Sequence, residues 1–512
     1  MATTYDDIIV GAGSSGAVLA ARLSEDPVRR VLLLEAGPDY ATVEATPHDL
    51  CDSTWISVVR HDWGFKADAM RGREIEFPRG KVTGGSSAVN ATIALRGVPA
   101  DYDEWARLGN SEWAWSRVLP YFRKLEDDQD EGGPLHGRGG PIPVRRWKAS
   151  ELLPLQQACL DAGDALGFAR VTDHNHPEST GIGPWPMNQR DGLRMSTAIG
   201  YLLPARQRQN LTIRPDCLVS RVILEGSRAV GVEIANAGAS EIVRGRRITL
   251  SAGAIASPAI LLRSGIGPRG DLEALGIVPA VDLPGVGANL IDHPLASVAL
   301  VPRAGVCEKA QPVAQVGIRH TAPGSDEWND MQLFMISQAD LTEIPDLMAL
   351  AGAPMIFAVG VALQRPRSRG RLSLTSPDPR TQPRIELNYL EHPEDMRRMV
   401  EGIRLAWRVA QWPAIARHAE RIAILTEDMV ASDEFVQGYL QMAVNTIFHP
   451  VGTARMGPGG DGGAVVDQRG RVRGVDGLAV VDASIMPNIP RANTNLTCIM
   501  IGERVADWMR AE

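Results

Sequence analysis

The sequence predicts an α/β protein in which a Rossmann-like domain carries a discontinuous cap domain built on an antiparallel sheet with helices. Three observations predict it. The chain opens with strand, Gly-rich turn, helix, strand and acid, the grammar of a βαβ unit. Apolar strands of the same texture return at residues 247–253 and 478–484. Between them, the region 296–440 contains segments that alternate apolar with polar residues, the period of a half-exposed antiparallel strand. On this reading residues 1–150, 195–295 and 441–512 form the first domain, and residues 151–194 and 296–440 form the cap.

In the opening unit, Asp7-Ile8-Ile9-Val10 reads as a short buried strand and Gly11-Ala12-Gly13-Ser14-Ser15-Gly16 as the turn. The small and apolar run Ala17 to Leu23 suits a helix packed on a sheet, and Val31 to Leu34 is a second strand ending at Glu35 and Ala36. Gly11 permits the tight turn, Gly13 lets backbone approach a pyrophosphate, and Gly16 lets helix and strand pack closely. The helix start offers amide donors and partial positive charge to phosphates. Glu35 is placed to accept hydrogen bonds from ribose hydroxyls and would repel a 2′-phosphate, which disfavours NADP. The motif leaves FAD and NAD both open.

Further along, Arg247 to Gly253 followed by Ser257 to Arg263 reads as strand and helix, Leu478 to Ser484 as a strand ending in an acid, and Leu496 to Met509 as a closing helix. Strands from both ends of the chain are therefore expected in one sheet. In the middle, Gly370–Thr375 and Pro383–Asn388 alternate, and Pro393-Glu394-Asp395 opens a long amphipathic helix. The uncharged stretch Leu347 to Leu363 is too short to span a bilayer and is broken by Gly352, Pro354 and Gly360, so it reads as core strand or pocket lining.

Composition narrows the function. Lys plus Arg number 53 and Asp plus Glu 61, a net charge of −8, which argues against nucleic acid or an anionic membrane surface as partner. Five scattered cysteines, Cys51, Cys159, Cys217, Cys307 and Cys498, suggest neither a disulfide framework nor a metal site. With Asp6 and Asp7 ahead of the first apolar run there is no signal-peptide pattern, and a cytoplasmic protein is expected. His174 and His176 flank Asn175 in a polar loop with no third ligand in reach, so they are expected to face solvent and no metal is expected.

Three further stretches identify a family. They are Arg79-Gly80-Lys81-Val82-Thr83-Gly84-Gly85-Ser86-Ser87-Ala88-Val89-Asn90, extended by Asp101 to Trp105; Gly253 to Pro268; and the C-terminal pair His449-Pro450-Val451-Gly452-Thr453 and Pro490-Arg491-Ala492-Asn493-Thr494-Asn495. With the opening fingerprint, they resemble the glucose–methanol–choline (GMC) oxidoreductases, FAD flavoproteins, over essentially the whole chain. The resemblance implies FAD contacts from Gly11, Gly13, Ser14, Ser15, Gly16, Glu35 and Ala36. It also implies contacts from Gly84, Ser86, Asn90 and Ala91 along the flavin, from Val219 at adenine, from Asp482 and Ala483 at the ribityl phosphate, and from Asn493 and Thr494. Val89 matches the position at which some members attach FAD through histidine, so noncovalent FAD is expected.

Oxidation of an alcohol needs a base for the hydroxyl proton, a donor for the developing alkoxide and a hydride acceptor. A neutral imidazole suits the first role, and the resemblance assigns it to His449, with Asn493 as the second active-site residue. Ile447 and Phe448, just before the base, are expected to line the substrate pocket, completed by cap residues around 310–365. Trp55, Trp63 and Phe65 are expected in the core, and His293 in Asp292-His293-Pro294 is read as structural. The expected function is oxidation of an alcohol, first a primary aryl, furan or aliphatic one, with O2 or a quinone-like acceptor. A sugar or amino-sugar hydroxyl, hydroxynitrile-lyase-like chemistry, and nucleotide binding without catalysis remain as alternatives.

Overall fold

Ile8, Ile9 and Val10 are apolar and buried, as a strand covered on both faces requires. In the computed structural model, which describes residues 4–235, 240–342 and 345–512, Tyr5–Val10 lies inside a seven-stranded sheet. Val31–Leu34 pairs with it in parallel on one side, and the C-terminal half of Ser240–Leu250 on the other. Leu211–Arg214 and Leu478–Val480 extend the parallel part. The N-terminal half of Ser240–Leu250 runs antiparallel to Arg228–Ala235, which pairs with Val219–Glu225. Strands from both ends of the chain thus meet in one sheet.

Two helices fix the open end of that sheet. Gly16–Leu23 follows the Gly-rich turn, and the C-terminal helix Thr494–Ala511 packs across it. The approach is close: a Cβ on Gly502 would stand 2.9 Å from the Ser15 carbonyl oxygen and from Val18 Cβ. The start of the C-terminal helix is thereby held over the Gly-rich turn.

The second large sheet has seven strands paired only antiparallel. Its order is Ala419–Ile422, Pro294–Pro302, Met355–Leu363, Met331–Asp340, Val316–His320, Gly181–Pro184, with Asn445–Thr446 beside Pro294–Pro302. The uncharged stretch ends in its buried strand Met355–Leu363. Helix Pro393–Gln411 lays Met399, Ile403, Ala406 and Val409 on this sheet, closest at Gly402, where a Cβ would come within 2.5 Å of Val361.

Two expectations are corrected. The alternating segments do form strands, Arg371–Ser373 and Arg384–Glu386, and pair with each other. Their sheet, however, is a separate four-stranded one shared with Lys66–Met70 and Arg73–Glu76. A period of two reports one exposed face; it says nothing about which sheet the strand joins. His174 is fully buried, with its ring 4.6 Å from that of Trp185 and Nε2 3.3 Å from the Gly183 carbonyl, while His176 is exposed. The loop's polar groups turn inward because they find partners there: Asp173 pairs with Arg146, and Asn175 Oδ1 accepts the Arg96 amide.

No helix among the described residues is long and apolar enough to cross a membrane. All five cysteines are unpaired thiols.

Candidate active site

A cavity of about 560 Å3 opens between the parallel sheet and the antiparallel one. Gly11, Gly13, Ser14 and Ser15 line it from the Gly-rich turn, and Glu35 and Ala36 from the end of the second strand. Gly11 has φ +98°, open to glycine without strain, which turns the chain under the cavity floor. A Cβ on Gly13 would meet only Gly85 Cα, at 3.9 Å, so the backbone is bare on the cavity side. Gly16 is not in the wall; a Cβ there would lie 1.9 Å from the Gly11 carbonyl oxygen, so it serves helix–strand packing.

Glu35 is buried, and its carboxylate accepts the amides of Ala12 and Gly37, each at 2.9 Å. Burial pushes its carboxyl up to about 7 against the pull of those amides. Ser86, Asn90, Ala91 and Val219 line the cavity, whereas Gly84 stands behind it, its amide donating to the Ala12 carbonyl. Asp482 and Ala483 line the far end. The Asp482 carboxylate accepts from Gly253 N, at the start of helix Gly253–Arg263, and from Ser257 Oγ and Ser484 N, so it anchors that helix.

His449 and Asn493 reach the cavity from opposite sheets. His449 follows strand Asn445–Thr446 at one end of the antiparallel sheet; Asn493 precedes the C-terminal helix that covers the Gly-rich turn. Their side chains meet with Nε2 of His449 3.2 Å from Nδ2 of Asn493. Sequence reasoning missed what lies behind. His293, at the head of strand Pro294–Pro302, puts its Nδ1 3.0 Å from Nδ1 of His449 with the rings at 88°. Its Nε2 is 3.1 Å from the backbone carbonyl of Gln364, which follows strand Met355–Leu363.

This chain of contacts assigns the protons. The Gln364 carbonyl only accepts, so His293 Nε2 carries the hydrogen. Neutral His293 therefore accepts at Nδ1, and His449 donates from its own Nδ1. Nε2 of His449 is left with a lone pair facing Asn493, whose Nδ2 donates to it. Both imidazoles are buried, which holds His293 down to about 3 and His449 well below the ordinary histidine range, so both are neutral. For His449, burial acts together with the neighbouring His293 and Arg79.

Asp292 fixes the backbone of His449. Its buried carboxylate accepts the amide of His449 at 2.7 Å, the hydroxyl of Thr446 at 2.5 Å, and the hydroxyl of Tyr389. The Asp-His-Pro triplet was visible in sequence, but nothing local links it to a histidine 156 positions on. Two histidines that the sheet topology could bring together was the available signal.

Ile447 and Phe448 line the cavity. None of the residues 310–365 does so among those described; Ile93 and Ile447 stand in front of Ala314, Phe334 and Ala362, which form the layer behind. The wall is supplied instead by the loop 379–383, tied down where Gln382 bonds both backbone groups of Lys66. Trp63 and Phe65 are stacked 5.5 Å apart and line the cavity rather than only the core; Trp55 lies outside it, 40% exposed.

Glu126, Asp128 and His136 also gather buried side chains of metal-ligand type. Asp173, Arg96 and Arg146 join them, so three carboxylates face two guanidiniums and an imidazolium whose pKa those carboxylates raise, against burial, to about 10. The charges balance within the cluster.

The chain is similar to known proteins. Models of the GMC oxidoreductase family match residues 5–295 and 366–502. The chain is 37% identical, over 99% of its length and 98% of the relative's, to the 5-(hydroxymethyl)furfural oxidase of Methylovorus sp.. It is 35% identical over 99% of its length to an oxygen-dependent choline dehydrogenase of Photobacterium profundum, covering 93% of that protein. Among solved structures, pyridoxine 4-oxidase from Mesorbium loti superposes with a TM-score of 0.90 at 32% identity, covering 99% of this chain and all of the other. With its cavity, its His–Asn pair and these likenesses, the chain belongs to the GMC oxidoreductase family.

Proposed function

We propose that this protein oxidises a primary alcohol, aryl, furan or aliphatic, with noncovalently bound FAD, and that O2 or a quinone-like acceptor takes the electrons. One observation carries the reading: the lone pair of His449 Nε2 faces an amide donor at the edge of a cavity whose floor is a dinucleotide fingerprint. The residues present fit FAD. Bare backbone at Gly13 suits a phosphate, and Asn493 Oδ1 and Asn495 Nδ2 are buried polar atoms without a protein partner beside the cavity. Gly11, Gly13, Ser14, Ser15, Glu35 and Ala36 would hold the nucleotide end, and Ser86, Asn90, Ala91 and Thr494 the flavin end. Val89 lines the cavity with no nucleophile to form a covalent link.

FAD, when bound, supplies the hydride acceptor. The protein's own groups handle the proton and the oxygen. His449 Nε2 takes the hydroxyl proton, and His293 Nδ1, accepting from His449 Nδ1, supports the imidazolium that results. The Asn493 amide, freed from Nε2 once that nitrogen is protonated, donates to the alkoxide oxygen, and such a donor is worth about 3 kcal/mol. Ile447 and Phe448 give the same edge an apolar lining. The substrate preference is supported by this apolar wall, by stacked Trp63 and Phe65, and by relatives named for hydroxymethylfurfural and choline. Five free thiols support a cytoplasmic setting.

The test is anaerobic mixing of the flavin-loaded protein with a panel of aryl, furan, aliphatic and sugar alcohols. Bleaching of the flavin by primary alcohols supports the reading. A flavin that no alcohol reduces removes it.

A further inference from the structure

Phe448, the residue before the base, has φ +69°, a conformation that bulky side chains adopt only when their surroundings impose it. Both ends of the residue are clamped. Its amide donates to Thr446 Oγ1 at 2.6 Å, and its carbonyl accepts from Arg79 Nη2 at 2.9 Å. The next amide, that of His449, is held by Asp292. The turn that presents the base is thus fixed at three points, two of them polar side chains already joined to each other through the Thr446 hydroxyl.

The third point differs in kind. Arg79 lines the cavity, with Nε bonded to the Pro78 carbonyl and the guanidinium 5.8 Å from the Phe77 ring. It forms no ion pair with any carboxylate among the described residues, whereas the buried Arg96, Arg146 and Arg398 are each paired. Partly screened from water at the cavity wall, it carries its charge with desolvation working against it. Bonded to the peptide before His449, it brings a charge that a neutral hydrogen-bond donor would not.

We propose that Arg79 is a positioning residue of the alcohol-oxidising site: it secures the left-handed Phe448 turn that presents His449, and it places beside that imidazole a guanidinium that no carboxylate among the described residues ion-pairs. This rests on His449 being the base. The charge opposes a second proton on the resting imidazole, so the base stays available, while the hydrogen bond keeps Nε2 aimed at Asn493. The charged and titratable groups around the pair are few. Asp292, Asp62, Tyr389 and Cys498 face Arg79, and the Asp62 carboxylate accepts the Arg79 backbone amide rather than the guanidinium. His293, Arg79 and, through the backbone amide, Asp292 face His449.

Three variants separate the two contributions: Arg79→Lys keeps charge and donor, Arg79→Gln keeps a donor alone, and Arg79→Met keeps neither. The holoproteins, labelled with 13C at histidine Cε1, are titrated by NMR, with the His449 signal assigned from its absence in His449→Ala; the chain has ten histidines. The His449 titration should move up by about one pH unit in the Gln and Met variants and stay in place with Lys. In parallel, kcat should fall about tenfold or more in the Met variant with KM little changed, and recover with Lys. A His449 signal that behaves alike in all four proteins overturns the proposal, as does a Lys variant no better than Met. His449→Ala, assayed for flavin reduction beside them, tests the base assignment on its own: if it still reduces flavin, that assignment falls while the NMR coupling is judged separately.

Discussion

Nδ1 of His293 sits 3.0 Å from Nδ1 of His449, and the Gln364 carbonyl behind His293 decides which way that hydrogen bond points. Residues 293 and 364, at strand ends of the antiparallel sheet, therefore determine that His449 offers Nε2 and not Nδ1 to the cavity. Replacing His293 with Leu removes the acceptor and frees the tautomer. The expected result is a loss of about 100-fold in the rate of flavin reduction, with FAD content unchanged. Stopped-flow reduction alongside the visible spectrum checks both halves.

The acid side of the pH profile follows from burial. Since His449 titrates well below the ordinary histidine range, kcat/KM should show no fall near pH 6.5 as acidity rises. An inflection at the usual histidine value would mean that the base is solvated. Stability follows the same direction. His293 passes from 6.5 in the unfolded chain to about 3 in the native one, so the unfolded state binds more protons between those values. Native stability is full above 6.5 and declines as pH falls toward 3; urea midpoints at pH 7 and pH 5 should show this, and His293→Leu should show less of it.

On the proposed mechanism Asn493 contributes to the transition state rather than to the fold. Asn493→Ala should cost about 2–4 kcal/mol in kcat/KM, the scale of a lost oxyanion donor, with the urea midpoint close to wild type. A loss below about tenfold would assign the alkoxide to another donor.

Gly16→Ala places a Cβ 1.9 Å from the Gly11 carbonyl oxygen, so the Gly-rich turn must move. The purified variant should retain little FAD. In the wild type, acid denaturation should release the flavin from the polypeptide; colour remaining with the protein would show a covalent bond that Val89 cannot make.

Most of the parallel sheet was legible because its parts carry local signatures, apolar strands, glycines where backbone must approach backbone, an acid at a strand end; the strand Leu211–Arg214 carries none of these and was not read. The closing helix was legible for the same reason, and it starts where Asn493 is needed. What escaped was set by pairings between distant segments. Nothing near Asp292 or His293 reports a partner 156 residues away, and nothing near Arg371 reports that its strand would join Lys66–Met70 through Arg384–Glu386. Residues around 310–365 were expected to complete the pocket, yet none of those described lines the cavity, and Ala314, Phe334 and Ala362 pack with Ile93 and Ile447. His174 looked exposed because its neighbours are polar, and those neighbours are buried with it in ion pairs and amide bonds. Polarity in sequence marks a need for partners, and water is only one kind.

The most direct measurement is the rate at which a primary alcohol reduces the flavin of His449→Ala under anaerobic conditions, compared with wild type at equal flavin content. A fall of at least about 100-fold, with the flavin still bound, is what a base at this position requires. Reduction within a few-fold of wild type would mean that the alcohol loses its proton to some other group.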